Sequence, residues 1–180
     1  MIDETQRKAK LQRIELLLLD VDGVMTEGGV SWNNQGVEQK TFHIRDGLGI
    51  RLFSQAGKRV GIVTGRASHV VQLRASELGI GIVRQGVEEK LNAVSSILTE
   101  TGLSFEQTAF IGDDLPDLAV LKRCGVGVAV ADAVKEVLDA ATIVTAARGG
   151  KGAVREVVEM ILRAQGRWDA IVQRFESGVS

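Results

Sequence analysis

Leu16-Leu17-Leu18-Leu19-Asp20-Val21-Asp22-Gly23-Val24 is the stretch that decides the fold. Four consecutive leucines are too few to span a membrane. They do not alternate with polar residues, as a strand buried on both faces of a parallel sheet does not. The run ends abruptly in two carboxylates. Side chains two apart point the same way along an extended chain, so Asp20 and Asp22 can reach one site. Gly23 lets the backbone turn tightly and brings amide N–H groups near that site. Acids and amides at the carboxyl end of a strand are where open α/β sheets bind ligands. Asp and Gly also make ordinary solvated turns, so the rest of the chain has to decide between the two readings.

Downstream, strands and helices alternate. Val60–Val63 reads as a buried strand ending in Thr64-Gly65-Arg66, and a helix follows with Val70, Leu73 and Leu78 inward and Gly79 as its stop. Ile80–Val83 is the next strand, then a helix from about Glu88 with Leu91, Val94, Ile97 and Leu98 on one face. Thr108–Ile111 is a strand ending in Gly112-Asp113-Asp114, and Pro116, the single proline, suits a first helical turn ahead of Leu118 and Leu121. Val126–Val130, Ala133–Leu138 and Thr142–Val144 read as strand, helix and strand; Val154, Val157, Val158, Ile161 and Leu162 form a last apolar stripe. Such alternation implies parallel strands with right-handed crossovers. The expected fold is α/β, a doubly wound three-layer α/β/α sandwich. A β-hairpin at residues 29–42 is appended, folded around Asn33-Asn34-Gln35-Gly36. Residues 1–14 read as an arm or short surface helix, 15–164 as the domain and 165–180 as a tail.

Composition narrows the function classes. The 180 residues suit one domain with a real core, and a net charge of −1 gives no support for a nucleic-acid or membrane-surface partner. A single cysteine, Cys124, allows no intrachain disulfide and reads as a small buried hydrophobe. The polar start, Met1 to Arg13, lacks the apolar core of a signal peptide, so the expected location is the cytoplasm.

The alternation sets four strand ends on one rim. They carry Asp20 and Asp22; Thr64-Gly65-Arg66; Lys90 at a helix start; and Asp113, Asp114 and Asp117. Each has an ordinary alternative: a threonine cap, a solvated lysine, acids complementing a helix dipole. Capping does not account for all four in this order. Clustered acids without His or Cys partners favour Mg²⁺. A carboxylate can attack phosphorus and a second can protonate the leaving alkoxide, while a hydroxyl, a lysine and loop amides bind the phosphoryl oxygens. The chemistry this suits is phosphoryl transfer.

At these residues the chain resembles the haloacid dehalogenase-like phosphohydrolases. Asp20-Val21-Asp22-Gly23-Val24 looks like the first motif, Val63-Thr64-Gly65-Arg66 the second, Lys90 the third and Gly112-Asp113-Asp114-Leu115-Pro116-Asp117 the fourth. The resemblance implies Asp20 as nucleophile and Asp22 as general acid/base. It implies Mg²⁺ held by the Asp20 carboxylate, the Asp22 backbone carbonyl and Asp113, with Asp114 or Asp117 behind them, and phosphate on Thr64 and Lys90. Phe42-His43-Ile44-Arg45-Asp46-Gly47 and Gly149-Gly150-Lys151-Gly152-Ala153-Val154-Arg155-Glu156 narrow it further. These stretches look like the phosphatases of 3-deoxy-D-manno-octulosonate 8-phosphate, an eight-carbon sugar acid on the way to lipopolysaccharide. Phosphatases of nine-carbon, sialic-acid-type phosphates share most of these motifs. The family's hairpins associate into homotetramers.

The gaps between motifs cannot hold an independent cap domain, which needs at least ~50 residues. The site is therefore expected to be open, with a lid borrowed from a neighbouring subunit or supplied by the tail, where Trp168, Ile171, Val172 and Phe175 share a helical face. Arg66 and Arg45, with Gly65, are expected on the substrate, since a guanidinium fork matches a carboxylate; His43 reads as a surface or packing residue rather than a catalytic one, and His69 carries no role. The main rival is a signalling receiver domain, which also gathers acids, a Thr and a Lys around Mg²⁺ but places its acidic pair and phospho-acceptor on different strands.

Overall fold

The computed structural model describes residues 3–178; residues 1, 2, 179 and 180 of the expected arm and tail lie outside the described residues. Strand β1 (Leu16–Leu19) lies near the middle of a six-stranded sheet, and its four leucines are fully buried. Each such side chain contributes about 1.5–3 kcal/mol relative to exposure, so this strand cannot sit at an edge. The other strands are β4 (Arg59–Val63), β5 (Ile82–Arg84), β6 (Thr108–Gly112), β7 (Val126–Ala129) and β8 (Ile143–Val144), all paired in parallel in the order β5-β4-β1-β6-β7-β8. The chain winds outward from β1 through β4 to β5, then returns past β1 to β6 and on to β8. That reversal is the topological switch point, and it falls beside β1.

Helices α2 (Ile44–Gln55), α3 (His69–Leu78) and α7 (Ala153–Ala164), with α1 (Glu4–Gln12), pack together as one layer. Helices α4 (Lys90–Thr101), α5 (Leu118–Arg123) and α6 (Lys135–Ala140) pack together as the other. The doubly wound sandwich expected from the alternation is the fold observed. Among the described residues there is no inserted cap domain. Between β1 and β4 lie only the hairpin and α2, and between β4 and β5 only α3. No helix of the described residues is long and apolar enough to cross a membrane.

The hairpin is shorter in hydrogen-bonded strand than its 29–42 span suggests. Only Ser31–Trp32 (β2) and Glu38–Gln39 (β3) pair, and the Asn33 carboxamide holds the turn by accepting from the Gln35 and Val37 N–H groups, each at 2.9 Å. Its second limb alternates: Val37, Gln39 and Thr41 are exposed, while Glu38, Lys40 and Phe42 turn inward.

Several boundaries and faces differ from the sequence reading. On α3 the inward stripe is Val71, Ala75 and Leu78; Val70 is half-buried and Leu73 is exposed. The inward row falls at i, i+4 and i+7, one face of the helix. The region after Asp114 begins as a 3₁₀ turn, Leu115–Asp117, before α5. Strand β5 starts two residues later than expected, at Ile82, and α6 starts at Lys135 rather than Ala133.

The chain's beginning forms α1, capped by the Asp3 carboxylate accepting the Gln6 N–H at 2.7 Å, with Leu11 buried. The tail forms α8 (Trp168–Glu176). Trp168 is buried with the Arg155 and Arg163 guanidinium groups each 5.1 Å from its ring centroid. Arg167 donates to the Ala56 carbonyl, and Arg174 to Gln55 at 2.8 Å, so α8 lies along α2 and α7 of its own chain. Val172 and Phe175 remain exposed.

Candidate active site

The register brings the functional side chains together. Leu19 pairs with Ile62 on one side and Ile111 on the other, so Asp20, Thr64 and Asp113 leave the sheet at nearly one level. The Asp20 N–H continues the ladder by donating to the Ile111 carbonyl at 3.1 Å. Beyond it the chain folds into a tight loop in which the Val21 carbonyl accepts from the N–H groups of Val24, Met25 and Thr26. Gly23 has φ +90°, and a Cβ there would lie 2.0 Å from an Asp113 carboxylate oxygen. Only glycine lets the first loop and the fourth motif approach this closely.

Carboxylate oxygens of Asp20, Asp113 and Asp117 lie within 4.8 Å of one another. Lys90, buried at the start of α4, stands 3.0 Å from Asp20 Oδ1 and 2.6 Å from Asp117 Oδ1. The other Asp117 oxygen accepts the Asp113 and Asp114 N–H groups at 3.0 and 3.3 Å. Asp117 is fully buried, whereas Asp114 is exposed and caps the 3₁₀ turn. Of the two acids the sequence left open, Asp117 is the one that orders the cluster.

The electrostatics call for a further cation. Burial, then the charge of Asp117, raises the Asp20 carboxyl to about 6 against the pull of Lys90. Burial, then the charges of Asp20, Asp117 and Asp114, raises Asp113 to about 7. Burial works against the Lys90 cation, but Asp20 and Asp117 outweigh it and hold its pKa above the ordinary value. One lysine among these acids is not enough, and Asp113 Oδ1 is buried with no hydrogen-bond partner among the described residues. Oxygen donors alone, one of them unpartnered, fit a hard divalent cation held by Asp20 and Asp113.

Asp22 faces a different set of groups. Its Oδ1 accepts from Lys40 Nζ, and its Oδ2 lies 3.8 Å from Arg66 Nε. Lys40, its side chain 1% exposed, also lies 3.4 Å from Glu38, which accepts from Arg66 at 2.8 Å and from the Ser68 hydroxyl. Glu38 and Lys40 were missed in the sequence, where charges on a hairpin limb read as solvated; only the burial of residues 38, 40 and 42 shows them turned inward. Thr64 is buried at the end of β4 and Gly65 is exposed beside it. Arg45 is exposed at the first turn of α2, with no ion pair among the described residues.

One further support lies behind the loop. Asp46 on α2 accepts the N–H groups of Arg155 at 2.8 Å and Gly152 at 3.3 Å, capping α7 from another helix. Burial raises its pKa, with those two amides and His43 opposing. His43 Nδ1 stands 3.9 Å from the same carboxylate, beside the cap. The cap fixes the Gly149-Gly150 turn against the first loop. Gly150 N–H donates to the Val24 carbonyl at 2.9 Å, and a Cβ on Gly149 would lie 1.6 Å from the Gly23 carbonyl oxygen.

Comparison with known proteins agrees with this geometry. Residues 74–157 match the model of the haloacid dehalogenase-like hydrolase family. Over 161 residues the chain is 44% identical to the 3-deoxy-D-manno-octulosonate 8-phosphate phosphatase of Escherichia coli K12, covering 89% of this chain and 86% of that one. The chain belongs to this phosphatase family. Among solved members of the 3-deoxy-D-manno-octulosonate 8-phosphate phosphatases, the Moraxella catarrhalis enzyme superposes with a TM-score of 0.94 at 38% identity, covering 96% of this chain and 99% of that one. That structure holds a magnesium ion, a phosphate ion and a KDO molecule. The cobalt-bound Haemophilus influenzae member superposes with a TM-score of 0.85 at 43% identity, over 87% of this chain and 92% of that one. Family membership removes the receiver-domain reading.

Proposed function

We propose that this chain is a Mg²⁺-dependent phosphatase that hydrolyses 3-deoxy-D-manno-octulosonate 8-phosphate to the free sugar acid and phosphate. The observation that carries the reading is the pairing of Asp20 with Lys90 and Asp113 at the switch point, with Asp22 held apart among cations. The Asp20 carboxylate attacks phosphorus, forming an aspartyl-phosphate as the bond to the sugar oxygen breaks. Asp22 gives that oxygen a proton. It then takes one from water, which attacks the aspartyl-phosphate and frees Asp20. Lys90, the Thr64 hydroxyl and the loop amides bind the phosphoryl oxygens where charge builds. Bound at Asp20 and Asp113, with the Asp22 carbonyl, Mg²⁺ would neutralise phosphate charge and keep Asp20 ionised.

Arg66, on the open side of the site, meets the substrate carboxylate; Gly65 leaves room for its approach. Arg45 serves the same end from the first turn of α2. The chain acts in the cytoplasm as a homotetramer, in a route to lipopolysaccharide, with hairpins sharing the apolar surface of Val30, Trp32 and Val37, each about half exposed or more. Phosphate release from the purified protein tests this, using the eight-carbon substrate, a nine-carbon sialic-acid-type phosphate and a neutral hexose phosphate. Preference for the eight-carbon compound is expected. Preference for the nine-carbon one moves the assignment to its relatives, and equal rates on all three refute a sugar-acid specificity.

A further inference from the structure

The hairpin contributes two charges to the open side of the site, and neither belongs to a motif of the reaction. Alternation along its second limb sends Glu38 and Lys40 inward while Val37 and Gln39 face out. Glu38 reaches Arg66 Nη2 at 2.8 Å, the Ser68 hydroxyl and, at 3.4 Å, Lys40. Lys40 in turn bonds Asp22, and Arg66 Nε lies 3.8 Å from the other Asp22 oxygen. Two acids and two bases thus close a ring. Its members come from the first motif, the second motif and the hairpin, so the ring fixes all three relative to one another.

We propose that Glu38 is a positioning residue for substrate selection, holding the Arg66 guanidinium so that its remaining N–H groups present a fixed fork to the substrate's carboxylate. This rests on the reading above that Arg66 meets that carboxylate. The geometry separates the two ends of Arg66. One terminal nitrogen is anchored on Glu38, whose own side chain is 11% exposed, while the Arg66 side chain as a whole stays 40% exposed toward the open site. An arginine left unanchored samples many rotamers, and ordering it on binding costs affinity. Ser68 and Lys40 fix Glu38 in its turn. The Ser68 hydroxyl favours the ionised carboxylate most, burial opposes it, and Lys40 and Arg66 add to the side of the charge, so the carboxyl is held below its ordinary range. Without the Glu38 charge, Lys40 and Arg66 would share Asp22 as their one acid, and the guanidinium would swing toward the Asp22 carboxylate.

The test is a double-mutant cycle on the purified full chain with Mg²⁺ present. Glu38→Gln keeps the shape and removes the charge. On the eight-carbon substrate it is expected to lower kcat/KM about ten-fold, mostly through KM, as for a lost charge-assisted hydrogen bond. On p-nitrophenyl phosphate, which has no carboxylate, the loss should be several-fold smaller. Combined with Arg66→Ala, Glu38→Gln should add less than about two-fold to the loss of Arg66→Ala alone, since an anchor has no effect without its guanidinium. Glu38→Asp keeps the charge but is a methylene too short to reach Arg66 and Ser68 together, and should fall between. Ser68→Ala, which loosens Glu38 without touching the ring's charges, gives a second and milder reading should Glu38→Gln fold poorly. Independent, multiplying losses at residues 38 and 66 overturn the proposal, as does an equal loss on both substrates with kcat the affected constant. If Arg66→Ala loses equally on both substrates but still couples to Glu38→Gln, the positioning role stands and the carboxylate reading fails. If Arg66→Ala changes nothing on either substrate, both fall.

Discussion

Magnesium should stabilise this protein more at about pH 8 than at about pH 5, and two carboxyls set the size of the difference. In the metal-free fold Asp20 is raised from 3.8 to about 6 by burial and then by Asp117, and Asp113 from 3.8 to about 7 by burial and then by Asp20, Asp117 and Asp114. A carboxyl with a raised pKa binds its proton more tightly in the folded protein than in the unfolded chain. The metal-free fold is therefore favoured most below about pH 4 and loses stability as pH climbs through about 6 and then about 7. A tenfold change in proton affinity is about 1.4 kcal/mol. Water reaching half-buried Asp113 screens part of the full sum, which leaves about 2–3 kcal/mol lost between about pH 5 and about pH 8. A divalent cation relieves this repulsion where both groups are ionised and competes with protons where they are not. For a domain of this size, about 2–3 kcal/mol is about 5–10 °C in Tm. The assay is thermal unfolding followed by circular dichroism across that pH range, with saturating magnesium or with EDTA. A magnesium-induced shift that is flat with pH, or that survives Asp113→Asn undiminished, refutes the assignment of the cation to these carboxyls.

Three further outcomes follow from the site and the fold. Asp20→Asn should abolish phosphate release with the circular dichroism spectrum intact, because an amide is a poor nucleophile; near-normal turnover would end the covalent mechanism. Gly149→Ala should lower both Tm and kcat/KM, since its Cβ, 1.6 Å from the Gly23 carbonyl oxygen, must push the first loop off its mark; unchanged values of both would mean the contact is idle. Light scattering after size-exclusion chromatography should give a tetramer mass that Trp32→Ser, at a position 58% exposed in the single chain, reduces; a fully active monomer would dismiss both the shared hairpins and a borrowed lid.

Most of the sheet was legible because its strands are short apolar runs closed by glycine and aspartate, and Leu16–Leu19, Val60–Val63 and Thr108–Ile111 are all observed as strands. The acid cluster was legible for the same reason, since a strand end fixes where its next residues go. What failed was whatever depended on helix rotation. Val70 and Leu73 are the same residue types as Val71 and Leu78, yet the face that packs inward is Val71, Ala75 and Leu78, and composition alone does not choose between the two faces. Asp117 could not be told from Asp114 until the 3₁₀ turn rotated one inward and the other out. Glu38 and Lys40 look like ordinary solvated strand charges, and their partners, Arg66 and Asp22, lie in motifs far along the chain. Asp46 caps a helix more than a hundred residues away, a relation no local pattern encodes.

The central place of β1 also has a consequence for the chain while it is being made. Leu16–Leu19 is synthesised first of all the strands, but its two flanks fill at different times, with β4 at Arg59–Val63 and β6 only at Thr108–Gly112. At ~5–20 residues per second, the roughly ninety residues between Leu19 and its second partner take ~5–20 seconds to appear. Through that interval one edge of a four-leucine strand stands unpaired, a template for another nascent chain. Charges bracket the run on both sides, Arg13 and Glu15 before it and Asp20 and Asp22 after it. Such flanking charges discourage edge-to-edge association. The carboxylates assigned here to catalysis thus guard the strand that carries them before there is any site for them to serve.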